Sequence, residues 1–300
     1  MTATLLSFAE SRGPAQALAA ELGIACEEVA LHRFPDGESL VRVPASAETA
    51  LLYRSLDDPN AKLVELILAA AALRDNGVRK VMLIAPYLAY MRQDMAFHPG
   101  EAVSQRVIGQ LISDHFDGLV TIDPHLHRIA RLSEAVPRIP AISLSAAPVL
   151  SAAIEPDDHP VLVGPDSESR QWVDAIAAPL GLDVLLGEKV RHGDREVAVD
   201  IPGIDRAAGK RAVLVDDVIS SGQTLIAAAH RLLGAGATRV EALATHCLAS
   251  AEDLARMDQA GIARIRTAQT VTGSTASIPV AALLAGAIRA EGWTVEGNPS

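Results

Sequence analysis

Hydrophobic and polar positions follow two rhythms along this chain, and the rhythms alternate. Short apolar runs read as buried strands at residues 5–8, 80–85, 118–122, 161–164, 183–186, 212–215, 239–245 and 263–266. Between them apolar residues recur at helical spacing, at residues 14–22, 61–76 and 102–114. The last of these helices is predicted to turn Val103, Val107, Ile108 and Leu111 inward. A further helix follows Thr224, with Leu225, Ile226, Ala229, Leu232 and Leu233 on one side. Strands that alternate with helices predict mainly parallel sheets with helices on both faces, an α/β architecture. The series restarts near Ser145, which divides the chain into domains 1–145 and 146–300. Glycine turns at Asn76-Gly77 and Gly234-Ala235-Gly236 each join a helix to a strand, at comparable places in the two halves. Two related folds are therefore expected.

Composition narrows the class. Apolar residues make up 49% of the chain but aromatics only 3%, so Ala, Val, Leu and Ile must fill two cores. No apolar run approaches the roughly 20 residues of a membrane-spanning helix, so no membrane partner is expected. The opening residues Met1-Thr2-Ala3-Thr4 lack a basic region, which leads to a cytoplasmic expectation. Cys26 and Cys247 show no metal-ligand spacing and read as free thiols. A net charge of −11 argues against a nucleic-acid partner. It also means that any polyphosphate site must gather its cations locally.

The strongest chemical signal is the stretch from Arg211 to Leu225. An apolar strand, Val213-Leu214-Val215, meets two adjacent carboxylates, Asp216 and Asp217. Ser220, Ser221, Gly222, Gln223 and Thr224 follow, and then the helix. A loop that enters a helix N-terminus offers backbone N–H groups, hydroxyls and a positive dipole end, which together suit a monophosphate. The acids lie about one sugar away, where they can accept ribose hydroxyls or hold hydrated Mg²⁺.

Other segments are weaker alone. Asp166-Ser167-Glu168-Ser169 follows a strand end; Asp166 is a candidate metal ligand, and Ser167 or Ser169 a candidate helix cap. Lys189 and Arg191 alternate on one side of an extended segment, where two cations could meet charge on a transferring diphosphoryl group. Phe34 beside Pro35-Asp36-Gly37-Glu38 could stack on a base while Asp36 or Glu38 accepts hydrogen bonds. Arg92 and Gln93 could contact adenine or phosphates, and His125 or His127 could donate to phosphate or ligate Mg²⁺. The ordinary readings are a capped helix, a solvated hairpin, a β-turn, an aromatic cluster and surface histidines.

In order along the chain, these segments resemble the ribose-phosphate pyrophosphokinases, the synthases of phosphoribosyl pyrophosphate (PRPP), from near residue 30 to near 290. Phe34-Pro35-Asp36-Gly37-Glu38, Arg92-Gln93-Asp94, Asp123-Pro124-His125, Lys189-Val190-Arg191 and Ser277-Ile278-Pro279 carry the likeness. The resemblance implies two phosphoribosyltransferase-like domains and Mg²⁺ as cofactor. It also implies transfer of the β,γ-diphosphoryl group of ATP to ribose 5-phosphate. It assigns ATP to Phe34, Asp36, Glu38, Arg92 and Gln93, at a subunit contact of a homo-oligomer. Ribose 5-phosphate falls to Asp216, Asp217 and Ser220 to Thr224, the metal to His125 and Asp166, and catalysis to Lys189 and Arg191. The chain departs from the family at Asp166-Ser167-Glu168-Ser169, where a glycine pair is usual, and at Pro124, where leucine is usual. A PRPP-consuming phosphoribosyltransferase would share the Asp216 motif but would not need the Phe34 turn or a second half. A non-catalytic regulator would not need both Lys189 and Arg191.

Overall fold

The apolar runs form strands that are buried from both sides, as parallel strands covered by helices must be. The computed structural model describes residues 3–45, 47–155, 159–192 and 196–294, without the side chains of residues 189–198. The chain forms two units, residues 1–144 with 280–300, and residues 145–279.

The first unit contains β1 (Ala3–Ser7), α1 (Arg12–Leu22), β2 (Cys26–Glu28), β3 (Ala30–Arg33), β4 (Ser39–Arg42), β5 (Thr49–Tyr53) and α2 (Pro59–Asp75). It continues through β6 (Lys80–Ile84), α3 (Ser104–His115), β7 (Gly118–Ile122), α4 (Leu132–Ala135) and β8 (Ala141–Leu144). Its sheet runs β2-β1-β5-β6-β7-β8, every neighbour parallel, while β3 and β4 form a separate antiparallel hairpin.

The second unit contains α5 (Ala147–Ala152), β9 (Val161–Gly164), α6 (Arg170–Ala177), β10 (Val184–Leu186), β11 (Glu188–His192) and β12 (Glu196–Asp200). Then come β13 (Arg211–Ile219), α7 (Gln223–Gly234), β14 (Arg239–Cys247), α8 (Ala251–Gln259), β15 (Ile262–Ala268) and β16 (Ala276–Ile278). Its sheet runs β10-β9-β13-β14-β15-β16, again parallel, with β11 and β12 as a separate hairpin. The two orders agree strand for strand, hairpin included, so the halves share one topology. In each, the order reverses beside the first strand, between β1 and β5 and between β9 and β13. In parallel sheets that reversal opens a crevice at the carboxyl ends of the strands.

Several features differ from the sequence reading. The last helix, α9 (Ala281–Ala290), packs on α1, so residues 280–300 belong with the first unit and not the second. The central strand β5 was not anticipated, although it is nearly all buried. Val107 is 55% exposed; α3 instead buries Gln105, Gly109 and Ile112. Gly109 sets that face, because any Cβ there would lie 1.8 Å from the Ala135 carbonyl oxygen. Small and aliphatic side chains fill both cores. Leu6, Leu52, Leu83 and Leu119 pack with Leu66 and Leu73 in the first, and Val163, Leu214 and Ala242 with Leu225, Leu232 and Met257 in the second.

Candidate functional site

The second unit's crevice carries the acidic pair. The sequence reading ended the strand at Val215, but β13 continues through both acids to Ile219, with Asp216 opposite Ala244 and Val218 opposite His246. A sheet ladder uses only backbone groups, so carboxylates near a strand's end do not stop it. Asp217 is buried, and Asp216 is partly covered with its Oδ1 accepting from the Asp217 N–H at 2.9 Å.

Gly222 is the N-cap of α7, at φ +71, and Gln223 and Thr224 form the first turn of the helix. A Cβ at Gly222 would lie 2.5 Å from Met257 Sδ on α8. A side chain here would be strained by the left-handed backbone and would have to displace Met257. The first-turn N–H groups of α7 have no intrahelical acceptor and face outward from the helix end. Asp216, Val218 and residues 219–225 line a small cleft of about 60 Å³ there.

Electrostatics at this crevice favour a cation. The Asp216 carboxyl titrates well above the usual carboxylate range, first because burial disfavours its charge, then because Asp217 and Asp166 add like charge. Asp166 follows β9 on the other side of the crevice. Its Oδ1 accepts from the N–H groups of Glu168 (3.1 Å) and Ser169 (3.2 Å), so Asp166 itself caps the short turn there, and neither serine does. Ser169 is buried, with Oγ donating to the Asp166 carbonyl at 2.6 Å. Three carboxylates on two adjacent strand ends are hard oxygen donors of the kind Mg²⁺ takes. The crowding that raises Asp216 is what such an ion would relieve.

The remaining candidate residues are positioned as follows. Residues 34–38 form the tip of the β3–β4 hairpin, closed by Phe34 N–H to the Glu38 carbonyl (2.8 Å) and Gly37 N–H to the Phe34 carbonyl (2.9 Å). Asp36 Oδ1 accepts from the Glu38 N–H at 3.1 Å. Phe34 is 40% exposed, with the His32 ring edge-on at 4.8 Å. Arg92 is exposed, whereas Gln93 is tied inward, its Oε1 accepting from Ser104 Oγ at 2.8 Å. His125 Nε2 lies 2.9 Å from His127 Nε2, so the two rings exchange a hydrogen bond. Lys189 and Arg191 lie on β11, in register with Val199 and Val197 of β12. Their side chains, and the turn at Gly193, fall outside the described residues.

Sequence reasoning missed two residues. Arg54 and Glu65, 1% and 0% exposed, form an ion pair at 2.7 Å inside the first unit. No local pattern marks either residue, since the pairing is made only by tertiary contact.

Residues 3–115 match the model for the N-terminal domain of ribose phosphate pyrophosphokinase, and residues 139–280 the phosphoribosyl transferase domain. A ribose-phosphate pyrophosphokinase of Methanopyrus kandleri is 34% identical over 90% of this chain and 93% of its own length. One of Halobacterium salinarum is 31% identical over 95% of this chain and 100% of its own. The crystal structure of phosphoribosylpyrophosphate synthetase from Mycobacterium smegmatis superposes with a TM-score of 0.83, at 24% identity, covering 98% of this chain and 100% of that one.

Proposed function

The chain belongs to the ribose-phosphate pyrophosphokinase family, and on that premise we propose that the crevice between β9 and β13 is where it binds ribose 5-phosphate. The protein is an ATP:ribose-5-phosphate diphosphotransferase. The sugar's 1-hydroxyl attacks the β-phosphorus of ATP, the bond from that phosphorus to the oxygen bridging the α-phosphate breaks, and AMP leaves with that oxygen. The hydroxyl proton passes to solvent, and PRPP is the product.

One observation carries the site: two carboxylates at the end of β13 stand directly before a glycine-capped helix N-terminus. The 5-phosphate rests on Ser220, Ser221, Gly222, Gln223 and Thr224, where N–H groups and hydroxyls converge. Asp216 and Asp217 accept the ribose hydroxyls. Mg²⁺, the cofactor this donor set suits, would be held in this crevice by Asp166, and when bound would offset charge on the diphosphate; His125 is the metal candidate of the first unit that the family implies. Lys189 and Arg191 meet the charge that builds on the transferring group. ATP lies against Phe34, Asp36, Glu38, Arg92 and Gln93, at a contact between subunits of a homo-oligomer. The 40% exposure of Phe34 on a hairpin tip supports that placement. Among the described residues no helix is long and apolar enough to cross a membrane.

The test is incubation with ATP, Mg²⁺ and ribose 5-phosphate, followed by chromatography for AMP and PRPP. Equimolar appearance of both is expected. Release of ADP, or no turnover, would refute the assignment.

A further inference from the structure

The two units share a topology, yet their crevices are filled differently. One step beyond the end of β9, across the strand-order reversal, stands Asp216. One step beyond the end of β1, at the matching place, stands Arg54. Its guanidinium is sealed in, stacked 3.7 Å above the Phe8 ring, with Nε donating to Glu10 Oε1 at 2.8 Å and Nη2 at 2.7 Å from Glu65 Oε2. The place that carries the substrate acids in the second unit therefore holds a buried cation in the first.

Glu65 projects from α2 and is wholly buried. Its other oxygen, Oε1, accepts from Arg33 Nε (3.2 Å) and Nη2 (3.1 Å) and from Ser39 Oγ (2.9 Å). Arg33 and Ser39 are register partners that close the β3–β4 hairpin, and they flank residues 34–38 on either side. This hairpin is not part of the six-stranded sheet. No ladder to that sheet sets where its tip lies; β4 packs on α2 and Val41 against the first core, and Arg33 and Ser39 are held by Glu65. Burial alone would raise the Glu65 carboxyl, but hydrogen bonds from Ser39 and Arg33 and the paired charge of Arg54 outweigh burial and hold it below its usual range.

We propose that Glu65 is a positioning residue for the nucleotide turn: one carboxylate oxygen holds both residues flanking 34–38, and the other is anchored on Arg54 in the first unit's crevice. The proposal rests on the reading of that turn as an ATP contact. A carboxylate is required because both sides present donors. An amide at this position would turn an NH₂ toward either the hairpin or Arg54 and leave donors facing donors.

Steady-state kinetics on Glu65→Gln, Ser39→Ala, Phe34→Ala and the Glu65→Gln/Phe34→Ala double variant test it. Glu65→Gln should raise KM for ATP about tenfold, the effect of losing a hydrogen bond to a charged group, with KM for ribose 5-phosphate and kcat little changed. Ser39→Ala, which leaves no charge unpaired, should raise KM for ATP roughly threefold. The double variant should match Phe34→Ala alone, because a displaced turn and a truncated turn lose the same contact. A merely structural Glu65 would raise both KM values together or lower kcat alone, and either result overturns the proposal, as do multiplicative effects in the double variant. If Glu65→Gln fails to fold, an unchanged KM for ATP in Ser39→Ala overturns it. A silent Glu65→Gln beside an impaired Phe34→Ala refutes the clamp alone. A silent Phe34→Ala refutes the nucleotide turn, and the clamp with it.

Discussion

Replacing Gly222 with alanine should destabilise the second unit by about 2–5 kcal/mol. Gly222 sits at φ +71, where an L-residue costs about 1–2 kcal/mol. The added methyl would lie 2.5 Å from Met257 Sδ and 2.8 Å from its Cγ, an overpacking that adds about 1–3 kcal/mol. Met257 is 0% exposed, so its side chain cannot swing into solvent, although its flexibility places the cost toward the lower end. Urea unfolding can follow the second unit through Trp172 on α6, with Trp293 of the first unit changed to Phe. The steric and backbone parts separate in a cycle with Met257→Ala. That change alone costs about 2–5 kcal/mol, but the double variant should be about 1–3 kcal/mol less destabilised than the sum. Calorimetry should show weakened binding of ribose 5-phosphate by Gly222→Ala. A total cost below about 1 kcal/mol would mean that the left-handed bend is not needed, and that the cradle argument built on it is wrong. A coupling near zero would mean that α8 does not support the loop.

Four further outcomes are expected. Asp217→Ala should nearly abolish turnover and weaken ribose 5-phosphate binding; unchanged constants for that substrate would remove Asp217 from the site. Because the Asp216 carboxyl is raised in the folded chain, the folded state keeps a proton that the unfolded state loses, so stability of the ligand-free protein falls as pH rises from the ordinary Asp value toward the raised one. Asp216→Asn should abolish that fall in thermal melts across roughly pH 4–8 and stabilise the ligand-free protein at neutral pH; parallel profiles for the two proteins would count against it. Lys189→Ala should lower kcat by about two to three orders of magnitude with small effects on substrate binding, and Arg191→Lys should restore little, since an ammonium cannot engage two oxygens at once; near-normal turnover in both refutes their catalytic role. Activity should fall on dilution if ATP binds at a subunit contact, and a fully active monomer, shown by sedimentation, would refute that placement.

Much of this protein is legible locally. The apolar runs of β7, β9 and β14 declare themselves because a strand buried on both faces needs consecutive apolar residues, which a sequence displays directly. The phosphate loop is equally visible, since strand, acids, glycine and helix follow within a dozen or so residues and their spacing is covalent. The left-handed bend at Gly222, and Met257 behind it, came only with the structure. What depends on distant contacts was hidden. The inner face of α3 is chosen by the Ala135 carbonyl pressing on Gly109, so the apolar Val107 faces solvent. The last helix joins the first unit because its partner is α1, at the far end of the chain. Arg54 and Glu65 look like surface residues in the sequence, since Arg and Glu are almost never buried unless paired. Only the fold brings them to 2.7 Å, inside a crevice whose counterpart in the other unit holds two aspartates. Local order along the chain determines which elements form and where a phosphate could rest. That the first unit's crevice is filled by a buried Arg54–Glu65 pair is decided only by folding, because the two residues lie on different elements and meet through tertiary contact.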